Sequence, residues 1–245
     1  MASFRPLVLE GIDLAGVIEH VLDKHTAPST IVVCCSKDAF SRQLQAALTH
    51  EAVAPENAEQ VAPRSKLLAR PTLRLLASSR TINLVFCPEL AHLRAYLATY
   101  AYQITEPIVS GVPPPNSPAP HRILAVLNPI HAHKPTSAYS AQGINRTFAT
   151  AVDAAYHTQS QLVLAECPSQ DDSARLEDLL ASEDTTTTIA RQTDISFWDE
   201  AVSILNVTTK SFGAGERGWV GRTVTIRRIA ERWCRFVDLA GAEMS

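Results

Sequence analysis

The sequence predicts an α/β fold: a mostly parallel sheet flanked by helices. Four short apolar runs are each typical of a strand buried on both faces, and segments of helical periodicity separate them. Because parallel strands need a long crossover, usually a helix, this alternation predicts βαβ units. The last third of the chain changes pattern and predicts antiparallel hairpin strands at the C-terminal end. The four buried strands are expected at residues 30–35, 82–87, 122–127 and 161–167.

The first half begins with a predicted helix at residues 12–22, where apolar side chains recur at helical spacing behind Asp13 as a cap. The first buried strand reads TIVVCC, and a helix with Phe40 and Leu44 on one side follows it. After the second buried strand, Pro88 opens a helix, because its missing N–H costs nothing at the first helical position. The other elements expected here are helices at 38–49, 71–79 and 89–102 and loops at 51–66 and 107–120.

The second half contains the clearest βαβ unit. Its two strands read RILAVL and QLVLAEC, and the helix between them carries Ile144, Phe148 and Val152 in register. Residues 168–200 are polar and acidic and predict a long loop. Further along, apolar and polar residues alternate as in half-exposed strands. The other predictions are a loop at 129–139, a helix at 140–157 and strands at 201–207, 219–229 and 232–237.

Composition limits the class of protein. The chain has 245 residues, 46% hydrophobic and 19% charged, with a net charge of -3, which excludes a disordered chain and suits one domain over residues 1–245. Four of its five cysteines lie in or beside apolar runs, which predicts buried thiols in a reducing compartment, the nucleus or the cytoplasm. No run of residues approaches the length of a membrane helix, so no membrane partner is expected.

Three sequence patterns are relevant to nucleotide and metal sites. The phosphate-binding pattern G-x-x-x-x-G-K-[ST] is absent, and no lysine follows any of the nine glycines. Residues 213–220 fit G-x-G-x-x-G-x-V, but a strand-like segment follows them, which favours a glycine-rich hairpin turn. His131 and His133 form an H-x-H pattern, which a metal-dependent hydrolase could use, although a polar loop is the favoured interpretation. No cofactor is expected.

Basic residues concentrate near the C-terminal end. Between residues 210 and 235 there are seven basic residues against Glu216 and Glu231, a net charge of +5. Arginines on a hairpin with Trp219 and Trp233 nearby are typical of a surface that binds nucleic acid or an acidic partner. A solvated edge strand whose arginines oppose aggregation is the alternative. The candidate nucleic-acid-binding residues are Lys210, Arg217, Arg222, Arg227, Arg228, Arg232 and Arg235.

Several strings, spread over residues 28–237, resemble the RecA-like ATPase core of recombinases and their paralogs. RILAVLNPI resembles the Walker B strand, with Asn128 where the family has an aspartate that holds magnesium through water. INLVFCPELAHLRAYLATY, SAQGINRTFATAVDAA and WVGRTVTIRRIAERWCRF are similar to other strand and helix segments of that core. LVLEGIDLAGVIEHVL stands in place of the Walker A segment and has no Lys-Ser/Thr pair.

The resemblance implies a P-loop NTPase fold without its nucleotide chemistry, because a neutral Asn128 is a poor partner for magnesium. Degenerate cores of this kind occur in Shu-type recombination mediator complexes and among the RecA-like subunits of the Elongator tRNA-modification complex. We therefore expect a non-catalytic subunit in DNA recombination and repair that works through other RecA-like subunits or a recombinase, and through single-stranded or double-stranded DNA. The alternatives are an Elongator-like scaffold subunit and the metal-dependent hydrolase.

Overall fold

The computed structural model describes residues 5–25, 28–52, 72–103, 122–167, 196–205 and 222–239. Its strands are β1 (Leu7–Glu10), β2 (Ser29–Val33), β3 (Ile82–Phe86), β4 (Ile123–Leu127), β5 (Gln161–Ala165), β6 (Ala201–Ser203), β7 (Thr223–Thr225) and β8 (Arg235–Asp238). Its helices are α1 (Leu14–Lys24), α2 (Lys37–Ala52), α3 (Leu73–Ser79), α4 (Leu90–Gln103), α5 (Pro129–His133), α6 (Ala141–His157) and α7 (Ile226–Ala230), with a 3-10 turn at Phe197–Asp199.

Six strands form one all-parallel sheet in the order β3-β2-β4-β5-β1-β8, and β6 and β7 form a separate antiparallel pair. The predicted α/β fold, with a parallel sheet, flanking helices and a hairpin, is confirmed. Strands β2 and β4 are buried along their whole length, as their continuous apolar sequences predict. Strand β1 was not predicted, because LVLE is short and ends in an acid, yet it lies between β5 and β8 with Val8 and Leu9 buried.

Helices cover both faces of the sheet. On the face that we call the α1 face, Leu14 and Val17 of α1 and Phe40 of α2 pack with Leu9 and Val33 of the sheet. On the opposite face, which we call the α6 face, α6 lies between α4 and α7 and contacts both. Successive strand residues alternate between the two cores, as the pleat requires.

The α6 face also receives the antiparallel pair. Trp198, Val202 and Ile226 join the same core as Phe148 of α6, and the backbone N–H of Ile226 donates to the carbonyl of Glu200 at 3.0 Å. Strands β6 and β7 therefore share the core of the α6 face but are not hydrogen-bonded into the parallel sheet.

Three local predictions were wrong. The strand expected at 219–229 ends at Thr225, and α7 follows, because Ile226, Ile229 and Ala230 have helical spacing and are buried together. The strand expected at 232–237 is β8, which joins β1 in parallel and does not continue the hairpin. In the loop expected at 129–139, Pro129 opens the helix α5, whose Ile130 is buried.

The strand at 82–87 was expected to be buried, but β3 is an edge strand with Asn83 and Leu84 exposed. The loop expected at 107–120 lies outside the described residues, as do most of those at 51–66 and 168–200; of these only residues 51–52, which end α2, and 196–200 are described. Within the described ranges, no helix is long and apolar enough to cross a membrane.

Candidate functional site

The carboxyl ends of β4, β5 and β1 lie side by side at one edge of the sheet. In open parallel sheets, ligands bind outside this edge, where the chain leaves neighbouring strands in different directions. Here β1 continues into α1 on one face, and β4 continues into α5 and α6 on the other. The residues that follow these three strands are therefore the candidate site residues.

Asn128 follows β4 and corresponds to the Walker B acid in the resemblance. It is buried with a φ of 59°, in the left-handed region that asparagine tolerates better than most residues. Its backbone N–H donates to the carbonyl of Ala165 at 2.8 Å, and its Oδ1 accepts from the backbone N–H of Cys167 at 2.7 Å. The amide oxygen is thus engaged in joining the ends of β4 and β5.

Glu166 follows β5 and is also buried. Its carboxylate accepts hydrogen bonds from the backbone N–H groups of Ile130 and His131, at the start of α5. A carboxylate near a helix N-terminus is stabilised by the N–H groups that have no partner within the helix. Glu166 therefore provides, from within the chain, an acceptor for the N–H groups at the start of α5.

Asp13 occupies the equivalent position at the start of α1. Three residues, Gly11 to Asp13, connect β1 to this helix, and the Asp13 carboxylate accepts from the backbone N–H of Gly16 at 2.8 Å. A P-loop at this place would aim such N–H groups at a phosphate. In this chain a carboxylate of the protein itself is bound there, and its negative charge opposes phosphate binding.

We expect Asp13→Ala to lower the free energy of unfolding by about 1 kcal/mol, because the start of α1 loses its cap. Asp13→Ser is the matched control: a serine hydroxyl accepts the same bond, so this variant should stay within about 0.5 kcal/mol of the native protein. Urea denaturation of the three proteins measures the difference. Equal stability of the alanine and serine variants would contradict the capping role.

Arg227 joins three elements at the same edge. Its Nη1 and Nη2 donate to the two carboxylate oxygens of Glu10 at 2.9 and 2.6 Å, and its Nε donates to Asp199 at 2.7 Å. The guanidinium lies 4.6 Å from the ring centre of Phe236 in β8. Its hydrogen bonds to Glu10 and then Asp199 raise the pKa of Arg227, against the smaller opposing effect of burial. Of the predicted nucleic-acid-binding residues, this one is engaged within the fold.

The structure describes four other predicted arginines of this region, and their placement differs from that of Arg227. Four side chains are exposed, and none lies within 4.0 Å of a carboxylate among the described residues. Arg228 lies on α7, Arg232 lies in the turn that follows this helix, and Arg235 opens β8. Lys210 and Arg217 lie outside the described residues. The four exposed side chains are Arg222, Arg228, Arg232 and Arg235.

The two histidines of the H-x-H pattern point to different environments. His133 is buried, with Nδ1 3.1 Å from the carbonyl of Ala138 and Nε2 3.0 Å from the hydroxyl of Thr147. Burial lowers the pKa of His133 to about 4. His131 is exposed. Among the residues that the structure describes, no group of three or more His, Cys, Asp or Glu side chains could hold a metal ion.

Cys34, Cys87, Cys167 and Cys234 are buried, as predicted, and all five cysteines are free thiols. Burial is the main cause that raises the pKa of each buried thiol. Because the thiolate is the reactive form, these side chains behave as small apolar groups.

Sequence reasoning missed Glu10, Glu166 and Asp199. A local signal existed for the first two, since Glu10 ends the apolar strand β1 and Glu166 directly follows β5. No protein-family model and no curated protein sequence matches the chain. The chemistry of this edge therefore follows from its contacts: Asp13, Asn128 and Glu166 bind backbone groups of the chain, and Arg227 binds two carboxylates.

Proposed function

We propose that this chain is a non-catalytic RecA-like accessory subunit in DNA recombination and repair, working in the nucleus through other RecA-like subunits or a recombinase. Support comes from the carboxyl edge of the sheet. Asp13 caps α1, Glu166 accepts from the first N–H groups of α5, and Asn128 joins β4 to β5. Each of these side chains accepts from backbone N–H groups of the chain itself, at the positions where an ATPase of this kind would hold phosphate and magnesium.

The exposed arginines carry the proposed contact with DNA. Arg227 is held by Glu10 and Asp199, whereas Arg222, Arg228, Arg232 and Arg235 have no carboxylate neighbour among the described residues. An arginine guanidinium matches the geometry of a phosphate group and keeps its charge at all physiological pH values. Contacts of this kind give affinity for the sugar–phosphate backbone without regard to base sequence.

Titration of a fluorescein-labelled single-stranded oligonucleotide, followed by anisotropy, tests the proposal. If four arginines neutralise four phosphates, raising the salt from about 50 mM to about 200 mM should weaken binding by about 50-fold. Alanine at Arg222, Arg228, Arg232 and Arg235 together should abolish most of the binding at low salt. A duplex of the same length compares the two forms of DNA.

The matched control removes four positive charges from the α1 face, by alanine at Lys24, Lys37, Arg42 and Arg80, all of which are exposed. This variant should keep most of its affinity, because the net charge falls equally but the proposed contacts remain. Equal losses in the two variants, or no binding of native protein at low salt, would rule out the DNA contact and leave the Elongator-like scaffold as the alternative.

A further inference from the structure

Two arginines outside the C-terminal region lie on neighbouring helices of the α6 face. Arg94 is in the second turn of α4 and Arg146 in the second turn of α6, and the two helices pack against each other. Among the described residues, neither side chain has a carboxylate within 4.0 Å. Two positive charges are therefore placed together without an acid to balance them.

Arg94 is held in a fixed orientation. Its Nε donates to the hydroxyl of Thr147 at 3.1 Å, and its Nη2 donates to the carbonyl of Gly143 at 3.0 Å. Because a guanidinium has five N–H donors, these two bonds leave further donors for a ligand. Thr147 is itself buried and bonded to His133, so the orientation of Arg94 depends on the packed interior and not on a mobile surface group.

The surroundings of Arg94 and Arg146 disfavour the positive charges of their guanidinium groups unless an anion is present. Burial lowers the pKa of Arg94 and the charge of Arg146 lowers it further, which reflects the proximity of the two guanidinium groups. Helix α4 itself contains no acid; Glu89 precedes it, five residues before Arg94, and Asp153 on α6 pairs with His157.

The location connects this pair with the C-terminal arginines. Trp233 donates from its indole Nε1 to Asn145 at 2.9 Å, which joins the turn carrying Arg232 to the α6 residue beside Arg146. Helix α6 lies between α4 and α7, so basic side chains occur on three adjacent helices. We propose that Arg94 and Arg146 form a phosphate-binding site for the nucleic-acid backbone, which extends the path of a bound strand from α7 across α6 to α4.

This inference rests on the proposed function, and Arg146→Gln tests it separately. The Arg146 side chain is exposed and makes no hydrogen bond to another described residue, so its replacement should leave stability unchanged. We expect affinity for the single-stranded oligonucleotide to fall about fivefold, and the slope of log affinity against log salt to become shallower by about 0.7, the value for one phosphate. Arg94→Gln should weaken binding at least as much.

Arg42→Gln on α2 is the matched control, since it removes one exposed arginine from the α1 face. The three outcomes have different meanings. A loss with Arg146→Gln and none with Arg42→Gln supports the site. Binding that is unaffected by Arg146→Gln but lost in the C-terminal quadruple variant overturns the site and leaves the proposed function intact. No binding of native protein overturns both.

Discussion

Replacing Arg227 by methionine is expected to lower the free energy of unfolding by about 2 kcal/mol, because charge-assisted hydrogen bonds are among the strongest in proteins. The change removes the bonds to Glu10 and Asp199 and leaves the Glu10 carboxylate, only 19% exposed, with the Ser196 hydroxyl but without its charged partner. Methionine keeps much of the apolar stem that packs beside Phe236, so the loss reports mainly on charge and hydrogen bonding. Complete burial would give a larger cost, but solvent reaches part of this site.

Arg228→Met is the matched control, since it changes the same residue type at the next position, where the side chain is exposed. Its stability should stay within about 0.5 kcal/mol of the native protein in urea denaturation. The two variants should also differ in DNA titrations. Arg228→Met should weaken binding, whereas Arg227→Met should not, as long as the protein is folded. Equal loss of stability in both would contradict the different placements of the two arginines.

Acid is expected to destabilise the fold through His133. In the unfolded chain this imidazole takes up a proton near its ordinary pKa of 6.5, whereas in the folded protein its pKa is about 4. The unfolded state therefore binds more protons as the pH falls from 6.5 towards 4, and stability is lost over that interval. Between about pH 7 and about pH 5, the loss from this one group should be on the order of 2 kcal/mol.

The neutral ring also has a defined hydrogen-bonding arrangement. Nδ1 donates its proton to the carbonyl of Ala138, so Nε2 accepts from the hydroxyl of Thr147, which in turn accepts from Arg94. Protonation of Nε2 would disrupt this chain beside a positive guanidinium. The pH effect and the orientation of Arg94 thus depend on the same buried histidine.

The measurement compares the pH dependence of unfolding in native protein and His133→Gln. The free energy of unfolding of His133→Gln should fall less between about pH 7 and about pH 5 than that of the native protein, by about 2 kcal/mol, whatever its stability at pH 7. Parallel curves for native protein and His133→Gln would show that His133 is not responsible.

The sequence predicted much of the fold because periodicity is local. The four apolar runs are strands β2, β3, β4 and β5, and the helical spacing of Ile144 and Phe148 correctly placed α6. Short elements were the exceptions. Helix α7 has only five residues, from Ile226 to Ala230, which is too few for apolar spacing to distinguish a helix from a strand. Thr225 caps α7 only because the chain turns at that residue.

The candidate site was predicted only in part. Asn128 was placed correctly after a buried strand, but nothing in the sequence indicated that its amide would join β4 to β5. Arg227 and Arg228 are neighbours with the same chemistry, and the sequence predicted the same nucleic-acid-binding role for both. Their difference arises from Glu10, which lies 217 residues away in the chain and meets Arg227 because β8 pairs with β1.

The sequence by itself determined the fold class, the positions of four strands of the parallel sheet and the concentration of positive charge between residues 210 and 235, since each follows from residue types at short spacing. The tertiary structure alone decided which charges are engaged. Strand order and helix packing set the distances between residues far apart in the chain, and those distances determine that Arg227 binds Glu10 and that Arg94 and Arg146 lie on adjoining helices.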